Sequence, residues 1–239
     1  MLALFFALRE EIKPLFKDFQ VETKMVVRPT TLFKGRWKKY PLCLVQTGIG
    51  KDKGVQAAQH ACQHLSPTLV LSVGYAGGLQ KGAKQGDLIL PTEIYNELEK
   101  GQQTDPNTMK RIRELLRTGT IPFHEGKLLT VRRALTSTDE KGRAGKRGFL
   151  AVDMESHAEA EVFNWAGIPF ASLRVIFDAV DTPLEFDSDK ILPELMHQPA
   201  KILKIPTLWQ AHRLCQARLY EVLSRIIPIL SPTESGSHR

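Results

Sequence analysis

The segment that most constrains the fold is a run of ten residues, 169–178, with the sequence PFASLRVIFD. It is apolar along most of its length and lacks the alternation of a half-exposed strand, which is typical of a strand buried on both faces. Such strands occur where helices cover both sides of a largely parallel sheet. The segment therefore predicts an α/β fold, and it ends in a carboxylate, Asp178.

A second carboxylate follows a strand slightly earlier in the chain. Residues 152–154 are predicted to end a buried strand, and residues 156–165 show helical periodicity. Glu155 therefore lies where a strand meets a helix. Because ligands collect at the carboxyl ends of strands in open α/β sheets, Glu155 and Asp178 are predicted to share one rim of the sheet. The alternative is that Glu155 only caps its helix.

Two glycine-containing segments also follow predicted strands. TGIGK at 47–51 follows the strand 42–46, and YAGGL at 75–79 follows the strand 68–74. Glycine lets backbone N–H groups come close to a ligand, although the spacing matches neither a P-loop nor a dinucleotide fingerprint. A tight connection without a ligand is the alternative. The residues predicted to lie near a ligand are Gly48, Gly50, Tyr75, Ala76 and Gly77.

Strands alternate with helices along the rest of the chain, which predicts a three-layer α/β/α sandwich. We expect one domain over residues 1–230, with a helical extension at 190–230 and a disordered tail at 231–239. A hairpin is predicted within 27–37, with its turn at Lys34 and Gly35.

Charge and cysteine content limit the possible partners. The chain has 33 basic and 26 acidic residues, a net charge of +7, but its basic residues are mostly spread along the sequence. This favours solvated faces over a nucleic-acid site, with an anionic membrane as the alternative. The three cysteines have neither metal-ligand nor disulfide spacing. The cysteine spacing therefore predicts no metal site. Because the sequence has no signal peptide and no membrane-spanning run, it predicts a cytoplasmic protein.

The C-terminal extension has an amphipathic pattern. Basic residues lie opposite an apolar side made of Leu208, Trp209, Leu214, Leu219, Val222 and Leu223. Such a helix either packs on its own core or lies on an anionic membrane. The second possibility predicts peripheral contact with the inner face of the membrane.

Five segments together resemble the ordered signature of the nucleoside phosphorylase and nucleosidase superfamily. They are TGIG at 47–50, VGYAGGL at 73–79, Gly86–Asp87, VDME at 152–155 and Asp178. The resemblance implies a central mixed, partly barrel-like sheet and a homodimer. Within the superfamily the chain is similar to the methylthioadenosine/S-adenosylhomocysteine nucleosidases. Residues 126–136, 152–157 and 195–206 look still more like the hopanoid-associated phosphorylase-like branch, which is implicated in removing adenine from adenosylhopane.

The resemblance also implies roles for particular residues. Asp178 matches the acid that protonates the departing adenine, and Glu11 matches the glutamate that orients water. Met154 and Glu155 match residues that pack against the ribose and bind its hydroxyl groups. The base-binding positions are Leu135, Thr136, Val152 and Phe177.

Hydrolysis is favoured over phosphorolysis. The hexameric phosphorylases bind phosphate through an arginine and a serine three residues apart, and Ser72 and Tyr75 occupy these positions here. Phosphate is then a co-substrate only if the chain is a phosphorylase, and no other cofactor is expected. The expected reaction is the conversion of adenosylhopane to ribosylhopane and adenine. A methylthioadenosine-type nucleosidase, a purine nucleoside phosphorylase and a catalytically inactive nucleoside sensor are the alternatives.

Overall fold

The computed structural model describes residues 1–119, 121–181 and 206–231. The strands are β1 Leu2–Phe6, β2 Phe19–Val27, β3 Thr30–Trp37, β4 Tyr40–Gln46, β5 Leu69–Gly78, β6 Leu88–Asn96, β7 Gly101–Gln103, β8 Phe123–Thr130, β9 Phe149–Asp153 and β10 Phe170–Asp178. The α-helices are α1 Arg9–Ile12, α2 Lys51–His64, α3 Pro106–Arg117, α4 Thr138–Lys146, α5 Ser156–Trp165 and α6 Pro206–Leu230. A 3₁₀ helix, Lys13–Lys17, follows α1.

The strands form one mixed sheet, part of which closes on itself. β5 pairs with β10, β10 with β6, β6 with β8, β8 with β9, and β9 again with β5. β1, β4, β3 and β2 continue from β5 as an open sheet. The predicted partly barrel-like mixed sheet is therefore confirmed. β5 contacts both parts, which places it at the centre of the molecule.

Helices cover both faces of the sheet, because its strands are apolar on both sides. On one face, α6 and α3 bury Leu219, Val222 and Ile112 against β1 and β10. On the other face, α2 and α5 pack together through small residues of α2, including Ala57, and through Phe163 of α5. This arrangement agrees with the predicted three-layer α/β/α sandwich.

The predicted hairpin exists, but its turn was placed wrongly. The chain reverses between Val27 and Thr30, and Gly35 lies inside β3, paired with Val21 and Leu42. A Cβ atom on Gly35 would lie 2.0 Å from the carbonyl oxygen of Gln20. The glycine therefore allows two strands to approach closely and does not form a turn. Glycine inside a sheet often marks such a close approach.

The amphipathic part of the C-terminal extension packs on the protein's own core from residue 208 onward. Leu208, Leu219, Val222 and Leu223 are all buried, so this part of the apolar side is not available to a membrane. Trp209 and Leu214 stay 44% and 42% exposed. Residues 190–205 of the extension and 232–239 of the tail lie outside the described ranges. Among the described residues, no helix is long and apolar enough to cross a bilayer.

Candidate active site

Glu11 is held near the carboxyl end of β1 by backbone groups of the loop after β1 and of β5. Its carboxylate accepts hydrogen bonds from the N–H of Leu8 at 2.8 Å and from the N–H of Tyr75, in β5, at 2.9 Å. The side chain is buried, and burial raises its pKa to about 7, although both hydrogen bonds and the charge of Arg174 oppose the rise. Glu11 can therefore gain or lose a proton near neutral pH.

Glu155 lies between β9 and α5, as the sequence predicts. Its Oε1 atom accepts a hydrogen bond of 2.6 Å from the N–H of Gly50, and it provides no side-chain cap for α5. Glu155 does occupy the N-cap position of α5, but capping does not account for its carboxylate. Burial, followed by the charge of Asp153, raises its pKa to about 8, while the Gly50 hydrogen bond and Arg174 lower it.

Asp178 ends β10 beside Gly77 of β5. Its carboxylate forms an ion pair with the ammonium group of Lys141, which lies on α4. Burial raises the pKa of Asp178 to about 6, and the ammonium group opposes this rise. The side chain keeps 16% of its surface exposed, so a ligand can still reach it.

β5 lies beside two of these carboxyl groups, those of Glu11 and Asp178. A Cβ atom on Gly74 would lie 2.9 Å from Oε1 of Glu11, and one on Gly77 would lie 3.3 Å from Oδ1 of Asp178. The second glycine segment is not a turn, however, because Tyr75, Ala76 and Gly77 lie within β5. The strand continues past the predicted end because β9 and β10 both pair with it there.

The first glycine segment is a turn, as predicted. Gly48 and Gly50 have φ angles of +85° and +101°, in the region that favours glycine. Gly50 immediately precedes α2, and the N–H group that it offers is the one bound by Glu155. Through Gly50, this turn therefore binds the carboxyl group of Glu155, which is predicted to bind ribose.

The predicted ribose- and base-contact residues occupy two places. Leu135, Met154 and Val152 pack into one apolar cluster, and Thr136 is half-buried next to Leu135. Phe177 instead stacks on Tyr75, with ring centroids 5.3 Å apart, and packs against the core that α6 completes. The structure thus groups three of the four apolar residues and places Phe177 in a separate contact.

Arg174 is a site residue that the sequence analysis missed. It is buried in β10, where Nε donates to Asp153 at 2.8 Å and Nη2 donates to Ser72 and Ser156. Its charge lowers the pKa of both Glu11 and Glu155. The signal was an arginine inside an otherwise apolar strand, since a buried charge needs partners.

Lys141 and His212 were also missed. Lys141 is fully buried and donates to Asp178, and His212 on α6 lies edge-on to Tyr75, with ring centroids 5.9 Å apart. Nothing in the sequence near either residue pointed to the site, since each contact joins distant parts of the chain. No cluster of three or more His, Cys, Asp or Glu side chains suited to a metal occurs within the ranges the structure covers.

Chemically, the site combines carboxyl groups of different character at one end of β5. Asp178 has a cation beside it, whereas Glu11 and Glu155 are held by backbone N–H groups. Their raised pKa values place all three near the range where one group can donate a proton and another can accept one. The arrangement suits acid–base chemistry on a polar ligand.

The chain is similar to known proteins over most of its length. Residues 2–205 match the Phosphorylase superfamily. A 5′-methylthioadenosine/S-adenosylhomocysteine nucleosidase of Actinobacillus succinogenes is 27% identical over 217 residues, covering 82% of this chain and 94% of the relative. A second one, from Haemophilus influenzae, is 25% identical over 215 residues, with the same coverage of 82% and 94%.

Solved structures share the fold at lower identity. The 5′-methylthioadenosine/S-adenosylhomocysteine nucleosidase of Neisseria meningitidis, in complex with methylthio-immucillin-A, has a TM-score of 0.79 at 18% identity and covers 96% of this chain and 99% of its own. Futalosine hydrolase of Helicobacter pylori has a TM-score of 0.78 at 19% identity, with 96% and 97% covered. The sequence relatives confirm the predicted enzyme class, a nucleosidase. The chain belongs to the phosphorylase superfamily.

Proposed function

We propose that the protein hydrolyses the N-glycosidic bond of an adenine nucleoside with a modified 5′ position. The observation that carries the proposal is the convergence of Glu11, Glu155 and Asp178 around the end of β5 and the adjacent glycine turn. Adenine nucleosidases among the relatives, which match over four fifths of the chain, support the same class of substrate.

Breaking the bond creates positive charge on the ribose and negative charge on the base. Asp178, in its protonated form, gives its proton to N7 of adenine as the bond between C1′ and N9 breaks. The carboxylate of Glu155 binds the ribose hydroxyl groups and stabilises the cationic sugar. Glu11 orients the attacking water and takes its proton.

Hydrolysis is supported by the two positions that bind phosphate in the hexameric phosphorylases. Ser72 is buried, and its hydroxyl group is used by Arg174 at 2.9 Å. The ring of Tyr75 packs between Phe177 and His212. Neither side chain supplies the cation that a phosphate group needs.

For the 5′ group, we propose a large apolar substituent such as the hopane of adenosylhopane. Trp209 and Leu214 are exposed apolar residues on α6, and Arg213 lies over the Trp209 ring at 4.7 Å. Their neighbour His212 contacts Tyr75, whose N–H group binds Glu11. An exposed apolar and basic surface thus borders the candidate site, and the resemblance of residues 152–157 to the hopanoid-associated branch supports the same substrate.

The reaction is tested by product analysis with methylthioadenosine, with and without phosphate. We expect adenine and free methylthioribose at equal rates in both buffers, and a phosphorylated sugar formed only with phosphate would overturn hydrolysis. Asp178→Asn is expected to lower kcat by about 100-fold to 10,000-fold, because an amide cannot donate the proton. Asp181→Asn, which changes an exposed carboxylate three residues later, is the matched control.

The 5′ group is tested with adenosylhopane in anionic liposomes. We expect faster adenine release from adenosylhopane than from methylthioadenosine, and liposome binding that weakens as salt rises. Trp209→Ala should slow the reaction with adenosylhopane alone, whereas Trp165→Ala, at a 91% exposed tryptophan on α5, should change neither rate. A tenfold preference for methylthioadenosine without liposome binding would remove the hopane from the proposal and leave hydrolysis intact.

A further inference from the structure

α4 places a lysine in the protein interior. Lys141 has no exposed surface, whereas Arg143 and Lys146 on the same helix face the solvent. Burying an ammonium group is costly unless a partner compensates its charge. The partner here is Asp178, which accepts hydrogen bonds from Nζ through its carboxylate and, at 3.3 Å, through its backbone carbonyl.

The ion pair lies beside β5 at a point where the strand has no side chain. A Cβ atom on Gly77 would lie 3.5 Å from Nζ of Lys141 and 3.3 Å from Oδ1 of Asp178. The glycine therefore leaves room for both partners. Because Nζ binds both the carboxylate and the main chain of Asp178, it restrains the direction of the carboxyl group as well as its charge.

We propose that Lys141 is a positioning residue for the acid: it fixes the Asp178 carboxyl group and balances the negative charge that forms there when the proton passes to the base. This inference rests on the proposed function. In the balanced step, the proton moves from Asp178 to N7 and the electron pair of the broken bond goes to the neutral adenine. Asp178 is left as a carboxylate beside the ammonium group, which stabilises that charge in a water-poor environment.

The same contact controls when Asp178 holds a proton. Burial raises the pKa of the carboxyl group and Lys141 is the first opposing influence, so its removal would raise the pKa above the present value of about 6. The protonated, active form would then persist to higher pH, while the departing proton would leave behind an uncompensated charge. Loss of Lys141 should thus move the pH optimum upward and lower the maximal rate.

The alternative is that the ion pair only anchors α4, and the pH profile separates the two roles. The experiment compares kcat and kcat/KM for methylthioadenosine between pH 5 and 9 in the parent, Lys141→Met, Lys141→Arg and Lys146→Met. We expect Lys141→Met to lower kcat by about tenfold or more and to raise the optimum by about one pH unit. Lys141→Arg should recover most of the profile, and Lys146→Met should match the parent.

A double-mutant cycle checks that Lys141 acts through Asp178. In the Asp178→Asn background, Lys141→Met should cost less than about threefold in kcat, because the group that it serves is already absent. An unchanged pH optimum in a folded Lys141→Met protein, or equal losses in both backgrounds, would overturn the inference. If Lys141→Met fails to fold, Lys141→Gln is measured in the same way. A parent that releases no adenine would instead refute the proposed function.

Discussion

Glu159 offers a test of how a buried carboxyl group affects the stability of this protein. It lies on α5, is 2% exposed, and its Oε2 atom has no hydrogen-bond partner among the residues that the structure covers. Burial raises its pKa from 4.5 to about 7, and Asp153 and Glu11 add to the rise, while Arg174 and a hydrogen bond from Ser72 oppose it. No step of the proposed reaction uses Glu159.

The effect on stability follows from where the proton is bound. The folded protein holds the Glu159 proton more tightly than the unfolded chain does, so the free energy of unfolding falls as the pH rises from about 4.5 to about 7. At pH values above about 7, the rise in the pKa from 4.5 to about 7 lowers the free energy of unfolding by about 3 kcal/mol, at about 1.4 kcal/mol per pH unit. Glu159→Gln keeps the shape of the side chain but removes its charge. The variant should therefore be more stable than the parent at pH 8, by up to this amount.

The assay is urea unfolding, followed by circular dichroism at pH 5, 6, 7 and 8. We expect parent and variant to differ least at pH 5. The advantage of Glu159→Gln should grow up to about pH 7 and then level off toward pH 8. Glu161→Gln, an exposed position on the same helix, should show no such trend. A difference that is constant across the four pH values would refute the reasoning, since burial of charge would then not be the cause.

Two further substitutions test the site itself. Gly74→Ala should lower kcat by about tenfold or more with little loss of thermal stability. The added Cβ atom would lie 2.9 Å from Oε1 of Glu11 and would displace the carboxylate. Steady-state kinetics and a melting curve check these two expectations. Glu155→Ala should raise KM and lower kcat together, because contacts to the ribose hydroxyl groups persist into the transition state. An unchanged KM and kcat in that variant would leave Glu155 only its contact with Gly50.

The sequence was informative wherever a local pattern determines a local structure. Glu155 and Asp178 could be placed at the ends of β9 and β10 because uninterrupted apolar runs define buried strands, and a helix start defines where a strand has ended. The turn at Gly48 and Gly50 was predictable for the same reason. These positions depend only on neighbouring residues.

The remaining features depend on contacts between distant residues. Lys141 meets Asp178 across 37 positions, and His212 meets Tyr75 across 137, so neither contact leaves a trace in local periodicity. Gly35 was misassigned because its neighbour, the carbonyl group of Gln20, is known only once β2 and β3 are paired. Likewise, an apolar helix side predicts burial without saying whether a core or a membrane buries it. In α6 the core buries Leu208, Leu219, Val222 and Leu223, whereas Trp209 and Leu214 stay exposed.

The way that α6 meets the start of the chain has a consequence for biosynthesis. Gln216 donates a 2.7 Å hydrogen bond to the carbonyl group of Glu10, next to Glu11, and His212 covers Tyr75. Glu11 is synthesised about two hundred residues before these neighbours, which is roughly 10 to 40 seconds at ordinary rates of translation. During that interval the residues next to Glu11 lack the contacts that α6 makes with them. The arrangement around Glu11 can therefore form only after α6 has been synthesised.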